Sequence, residues 1–150
     1  MKKLNLILII LLTPLLLFSQ NSNAILDHKK YYGKDFFLLE GTEVSDSLKE
    51  NRYDRLPVSY KNIVRKPVWN LSKSSAGLSI RFLSNSTSIS VKWKVLNDLK
   101  MNHMPESGIK GVDLYFKNED GWQYLNTGLP KGIENEYLFI ENMSKELREF

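Results

Sequence analysis

The chain contains no cysteine among its 150 residues, so neither a disulfide nor a thiolate metal site can form. A fold without disulfides must be stabilised by its apolar core. Histidine is also scarce: only His28 and His103 occur, and neither belongs to a His-x-x-x-His pair or a carboxylate-rich loop. His103 and Asp113 form one suggestive pair, but nothing in the sequence supports it. We therefore expect no metal ion and no cofactor.

The excess of basic over acidic residues is small. Lys and Arg number 21 against 17 Asp and Glu, which gives a formal net charge of +4. Without residues 1–19, Lys2 and Lys3 are gone, and 19 basic residues remain against 17 acidic ones. No dense Lys/Arg cluster occurs in the rest of the chain, although proteins that bind nucleic acid carry one. The composition therefore excludes nucleic acid as a partner.

The N-terminal segment has the layout of a secretory signal peptide. Two lysines precede an apolar run over residues 4–18, and Ser19 supplies a small residue before a cleavage point. The run is shorter than the roughly 20 residues that span a bilayer, and no cysteine follows it to carry a lipid. We expect a signal peptide over 1–19, a flexible lead-in over 20–34, a secreted or periplasmic location, and no membrane attachment after cleavage. An uncleaved membrane anchor is the alternative.

Short apolar patterns with turn residues between them characterise the rest of the chain. The clearest is the alternation of Ile89, Val91 and Trp93 with polar residues, which predicts a strand with one apolar face; Trp93 is therefore expected in the core. Further strands are predicted over residues 36–39, 68–71, 78–82, 112–116, 122–125 and 137–140.

The predicted strands form hairpins. We expect one hairpin over residues 78–95 and another over 112–125, the second closed by a turn at 118–121, where Gly121 permits a positive φ. Residues 126–132 are expected to be a loop, and no long helical period appears after the apolar run. This arrangement over 35–150 predicts an all-β fold, an antiparallel β-sandwich or jelly roll.

No catalytic site is predicted in this chain. A serine hydrolase needs a serine on a strained turn, a histidine base and, in most cases, an acid. The sequence has no Gly-x-Ser-x-Gly elbow and no Gly-Asp-Ser block. His28 lies in the lead-in, and no partner for His103 is evident. We assign no catalytic residue.

Five residues are candidates for contact with a ligand or a partner domain: His103, Asp113, Tyr115, Trp122 and Tyr124. By alternation, Asp113 and Tyr115 point away from the apolar face of their strand, and Trp122 and Tyr124 share one face of the next. Aromatic rings stack on sugars and carboxylates bind hydroxyl groups, so carbohydrate contact is one interpretation. Packing at an interface is the other, because exposed aromatic pairs are unusual. His103 either bonds a loop carbonyl or contributes to such an interface.

Four motifs, in this order along the chain, resemble those of one known family. They are Arg55-Leu56-Pro57, then Val68-Trp69-Asn70-Leu71-Ser72 with Ser75-Ala76-Gly77, then His103-Met104-Pro105, and finally Gly111-Val112-Asp113-Leu114-Tyr115. The last is similar to a Gly-x-Asp-Leu-Tyr signature. The resemblance covers roughly residues 36–140 and is to the N-terminal β-sandwich domain of SGNH hydrolase-type esterases.

The resemblance implies a module similar to a carbohydrate-binding domain, followed by a GDSL-type hydrolase domain that carries the catalytic Ser, Asp and His. None of those catalytic positions lies in this sequence. We therefore expect an exported, non-catalytic accessory domain, C-terminally truncated after Phe150. It would aid recognition of a carbohydrate ester or dock on the hydrolase domain. Two alternatives remain open: the front part of a secreted esterase whose catalytic half is missing, or a purely structural domain that docks through residues 101–115.

Overall fold

β-strands make up most of the regular structure in the computed structural model, which describes residues 29–98 and 100–150. The strands are β1 (Leu38–Glu40), β2 (Ser79–Arg81), β3 (Leu83–Ser84), β4 (Ile89–Lys94), β5 (Val112–Asn118), β6 (Gly121–Gly128), β7 (Glu134–Ile140) and β8 (Arg148–Glu149). The described residues also form two α-helices, α1 (Lys66–Ser72) and α2 (Glu106–Lys110), and 3-10 turns at Lys34–Phe36, Asp46–Leu48 and Val58–Tyr60. Every strand pairing is antiparallel, which confirms the all-β prediction.

The predicted signal peptide over residues 1–19 lies outside the described residues, as do residues 20–28 of the predicted lead-in and His28. Residues 32–150 form one structural unit. Within the part of the chain that the structure describes, no helix is long and apolar enough to cross a membrane.

The strands pair as β1–β2, β3–β8, β4–β7 and β5–β6. The predicted hairpin over 112–125 is confirmed, with its turn at Asn118–Gly121 and a φ of 103° at Gly121. The predicted loop over 126–132 is partly wrong, because β6 continues to Gly128. Its last residues stay in the ladder opposite the first residues of β5.

The predicted hairpin over residues 78–95 is wrong. β2 pairs with β1 and β3 pairs with β8, whereas β4 pairs with β7. The bend between β3 and β4 forms other bonds: the Ser86 amide donates to Ser84 Oγ at 3.1 Å, and the Thr87 carbonyl accepts from the Met143 amide at 2.9 Å. These groups form hydrogen bonds elsewhere, so the residues between β3 and β4 do not make the turn of a β3–β4 hairpin.

The predicted strand over residues 68–71 is helix α1. Pro67 lies in the first turn of the helix, where its missing N–H costs nothing and its fixed φ favours the helix. Trp69 and Ser72, three residues apart, are its buried residues, so the burial has helical spacing.

The core lies among β4, β5, β7 and the last residue of the chain. Its buried members are Ile89, Leu114, Phe139 and Phe150. Phe150 stacks on Phe82, with 5.5 Å between ring centroids, and the two residues exchange backbone hydrogen bonds of 3.0 and 2.9 Å. Trp93, expected in the core, is half-buried and does not belong to this cluster; its indole N–H donates to the Lys110 carbonyl at 2.8 Å.

Residues 46–73 contain no strand and are stabilised differently; we call them the non-strand region. Lys73 Nζ donates to Asp54 Oδ2 at 2.6 Å and to Glu50 Oε2 at 2.7 Å. Lys61 Nζ donates to the other oxygen of Glu50, also at 2.6 Å. The ammonium group of Lys73 also lies 4.3 Å from the centroid of the Trp69 ring, a distance at which a cation is attracted to the ring face. These charges join the Val58–Tyr60 turn to the end of α1.

Candidate functional site

The outward face of the β5–β6 hairpin carries three cross-strand pairs. In the ladder, Asp113 lies opposite Thr127, Tyr115 opposite Tyr124, and Lys117 opposite Trp122. We call these six residues the aromatic face. Its three rings are exposed: 43% of Tyr115, 46% of Trp122 and 56% of Tyr124 is accessible to solvent. Exposed aromatic pairs are unusual on a protein surface, so this face is the candidate site.

A β-bulge brings Thr127 onto this face. The register passes from Tyr115–Tyr124 to Leu114–Asn126, so Leu125 has no residue opposite it. Leu125 packs against the core. A bulge adds one residue and thereby changes which side chains share a face. As a result Tyr124 and Thr127, three residues apart, point the same way.

A chain of hydrogen bonds fixes the Tyr124 ring. Thr127 Oγ1 donates to Asp113 Oδ1 at 2.6 Å, and the Tyr124 hydroxyl lies 2.8 Å from Thr127 Oγ1. A threonine hydroxyl has a single proton, so the Tyr124 hydroxyl must be the donor to Thr127. Tyr115 packs edge-on against Tyr124, with ring centroids 5.7 Å apart and planes at 71°, a favourable geometry. Tyr124 is therefore held in place before any ligand arrives.

The other end of the aromatic face is basic. Lys117 Nζ lies 5.9 Å from the centroid of the Trp122 ring and 3.5 Å from Glu149 Oε2. Hydrogen bonding from Arg81 holds the pKa of Glu149 below its ordinary value, and Lys117 adds a smaller effect in the same direction. The face thus runs from the carboxylate of Asp113 to the ammonium of Lys117, with the rings between them.

His103 does not belong to the aromatic face. It is exposed in a tight turn that the Met101–Met104 bridge closes, and its Nδ1 lies 3.0 Å from Oδ1 of Asn102. The structure therefore brings together four of the five predicted candidates. Within residues 29–98 and 100–150, no group of three His, Asp or Glu side chains could hold a metal ion.

Sequence reasoning missed Lys117 and Thr127. Alternation along β5 could have revealed Lys117, since it is two residues beyond Tyr115. No pattern in the sequence indicates Thr127, because the bulge at Leu125 breaks the alternation of β6.

An ion cluster anchors the segment that leads into β5. The Lys110 side chain is buried, and its Nζ donates to Asp98 Oδ1 at 2.6 Å and to Glu106 Oε2 at 3.3 Å. The hydrogen bond to Asp98 is the main reason that the pKa of Lys110 is raised, and the same bond lowers the pKa of Asp98. The Lys110 carbonyl accepts the indole N–H of Trp93. This cluster fixes α2 against β4 and so positions the start of the aromatic face.

Comparisons with known proteins identify the family of this chain. Residues 30–150 match the GxDLY family, described as the N-terminus of SGNH hydrolase-type esterases. A crystal structure described as that of a GDSL-like lipase from Bacteroides ovatus is similar, with a TM-score of 0.70 and 30% sequence identity over 77% of this chain. The similar region spans 33% of that protein. No curated protein sequence matches the chain.

Proposed function

Because the chain belongs to the GxDLY family of N-terminal esterase domains, we propose that it is an exported, non-catalytic accessory domain of an SGNH-type esterase. Its strands would form a β-sandwich similar to a carbohydrate-binding module, followed by a GDSL-type hydrolase domain. The proposal is supported by the similar GDSL-like lipase, of which the matched region is only one third. It is also supported by the absence of a Gly-x-Ser-x-Gly or Gly-Asp-Ser motif in the sequence.

The aromatic face would bind the carbohydrate part of the ester substrate. A sugar ring presents axial C–H groups to an aromatic face and hydroxyl groups at its edge, and shallow sites for such ligands combine apolar rings with a few polar groups. Trp122 and Tyr124 supply the rings, and Asp113 supplies an acceptor beside them. The observation that carries the proposal is the fixed Tyr124 ring, because a preorganised group loses little freedom on binding.

A purely structural domain is the second candidate. Met101 and Met104 are exposed on either side of His103, and methionine adapts well to a partner surface. In that case the 101–115 segment would contact the hydrolase domain, and no glycan would bind. Replacing Tyr115 or His103 by alanine would then lower the stability of the esterase.

Binding to soluble polysaccharides tests the first candidate. We would measure the affinity of the full-length protein for acetylated and deacetylated polysaccharides by calorimetry. Trp122→Ala should weaken binding roughly tenfold, equivalent to about 1.4 kcal/mol. With the complete esterase, the same change should raise KM for a polysaccharide ester and leave kcat for a small soluble ester unchanged.

The matched control is Tyr53→Ala. Tyr53 is an exposed aromatic residue of the non-strand region, so its loss should leave glycan affinity unchanged. If the wild-type protein binds none of the polysaccharides, the carbohydrate role is wrong and the structural candidate stands. If both variants weaken binding equally, the aromatic face is not the binding site.

A further inference from the structure

The non-strand region has polar groups inside. Among residues 46–73, the buried polar or charged residues are Lys49, Asp54 and Ser72, whereas Trp69 is the buried hydrophobic residue. In a typical domain the buried positions are apolar and Lys and Asp are almost never fully buried unless they are paired. The packing inside this region is therefore made by ion pairs and hydrogen bonds.

Those bonds hold α1 firmly in place. Arg55 Nη2 donates to the Leu71 carbonyl at 2.7 Å, and the Arg55 amide donates to the Ser72 carbonyl at 2.8 Å. The Ser72 hydroxyl in turn donates to the Trp69 carbonyl at 2.7 Å. Together with the bonds of Lys73, they satisfy the end of α1. The side chains on its outer face thus project from a fixed base.

Apolar side chains point outward from this base. Ile63 is 77% exposed and Leu71 is 62% exposed. On α1, Val68 and Leu71 are three residues apart and share the face away from Trp69. The other exposed members of the segment are Val58 and Tyr60. We call these five residues the 58–71 surface.

This apolar exposure is costly unless it is covered. Isolated exposed apolar residues are common, but a group on one rigid segment marks an interaction site. The buried positions of this segment are mainly polar, so these side chains have no local apolar core to pack against. The surface is also fixed, because the Tyr60 carbonyl accepts the amides of both Ile63 and Val64 at 3.0 Å.

The rim of the 58–71 surface is basic. Residues 57–71 include Lys61, Arg65 and Lys66 and no acidic residue, and all three basic residues are exposed. Because Lys61 is already paired with Glu50 at 2.6 Å, the charges that a partner would meet are those of Arg65 and Lys66. Complementary interfaces pair such a rim with carboxylates around an apolar centre. The partner should therefore present an apolar patch that Asp and Glu border.

We propose that the 58–71 surface docks against the hydrolase domain of the same polypeptide, on an apolar patch that carboxylates border. The identity of this partner rests on the proposed function. It is favoured because the matched region accounts for only 33% of the similar GDSL-like lipase, so a larger part of such a protein is available to cover the surface. The 58–71 surface shares no residue with the aromatic face, which stays free for substrate.

Hydroxyl-radical footprinting of the full-length protein, expressed with its complete downstream reading frame, tests the proposal. After correction for intrinsic reactivity, labelling of Ile63 and Leu71 should be several-fold lower than labelling of Leu83, which is 65% exposed in the structure. Interface cores exclude water, so docked side chains react slowly. Ile63→Lys should restore rapid labelling of Leu71, whereas Leu83→Lys should not.

Four outcomes would overturn the proposal. Equal labelling of Ile63, Leu71 and Leu83 would mean that nothing covers the surface, and a reading frame that closes at Phe150 would remove the partner. Protection that disappears on dilution, together with a dimer in light scattering, would indicate a second copy as the occupant. Protection that appears only with vesicles of phosphatidylglycerol and phosphatidylcholine would indicate a membrane.

The footprinting experiment and the glycan-binding measurement test the two proposals separately. Trp122→Ala should weaken glycan binding and leave the footprint unchanged, whereas Ile63→Lys should change the footprint and leave glycan affinity unchanged. Absence of glycan binding with Ile63 still protected would refute the carbohydrate role alone.

Discussion

Two regions of this domain bury different proportions of apolar and polar side chains. In residues 79–150, which we call the strand region, the buried hydrophobic positions are Ile89, Leu114, Phe139 and Phe150. In the non-strand region the buried positions are mainly polar or charged, and large apolar side chains are exposed. The first region is stabilised by removal of apolar surface from water. The second is stabilised by hydrogen-bonded charges. Its exposed apolar side chains are available for contact with another protein surface. Stability and recognition thus follow different rules within one chain.

The largest expected effect is on the apolar core. Leu114→Ala should lower the free energy of unfolding by about 3 kcal/mol, since removing a buried leucine loses burial and leaves a cavity. Urea denaturation would measure it. Leu71→Ala, the same substitution at an exposed position of the non-strand region, should cost less than about 0.5 kcal/mol. Equal losses would mean that both regions share one apolar core.

A smaller and local effect is expected from Lys73→Met. The change leaves the buried carboxylate of Asp54 without its 2.6 Å partner, and an unpaired buried charge is unfavourable. Hydrogen exchange should accelerate at amides of residues 49–73 and stay unchanged in β5 and β6. Lys94→Met is the control, because Lys94 and Glu134 form an exposed pair of the kind that contributes little. Uniform acceleration of hydrogen exchange through the whole domain would contradict the conclusion that the two regions are stabilised in different ways.

The non-strand region should also loosen in acid. Hydrogen bonds from Lys61 and then Lys73 lower the pKa of Glu50 below its ordinary value of 4.5. A carboxyl group with a lowered pKa contributes stability above its ordinary pKa, and that stability disappears as the pH falls through the lowered value. Protection of the Arg55 amide, corrected for the pH dependence of intrinsic exchange, should therefore decrease below pH 4.5 in the wild type.

The Glu50→Gln variant isolates this effect. Its amide side chain does not titrate, so protection of the Arg55 amide, corrected for intrinsic exchange, should already be lower at neutral pH and should change less as the pH falls. Amides beside Leu114 report on a core that does not titrate and should respond less in both proteins. A wild-type acid response at Leu114 as large as that at Arg55 would refute the distinction.

The smallest effect concerns the aromatic face. Thr127→Val removes the hydroxyl between Tyr124 and Asp113 but keeps the shape of the side chain. It should weaken glycan binding by less than Trp122→Ala does and leave the unfolding midpoint unchanged, because Thr127 lies at the surface of the ladder. Thr127→Ser should retain full affinity. If Thr127→Ser weakened glycan binding as much as Thr127→Val, the hydrogen bonds of the Thr127 hydroxyl would not explain the loss of affinity.

The sequence alone predicted those features of the fold that depend on residues close together in the chain. Alternation over residues 112–116 and the turn before Gly121 predicted the β5–β6 hairpin, and with it four of the five candidate residues. Strand partners are not local: the bend after Ser84 bonds to its own side chains and to Met143, and no pattern nearby reveals that β4 pairs with β7. The run at Val68–Leu71 was too short to show whether its spacing was that of a strand or a helix.

The bulge at Leu125 has a consequence for how this hairpin can tolerate changes in length. Deleting one residue from a regular strand reverses the orientation of every side chain beyond the deletion. At Leu125 the opposite holds, because this residue has no partner: its deletion would leave Tyr124 opposite Tyr115, Asn126 opposite Leu114 and Thr127 opposite Asp113. The domain would lose one apolar contact but keep both faces of the hairpin. Position 125 is therefore the place in β6 where a chain one residue shorter could still present the same aromatic face.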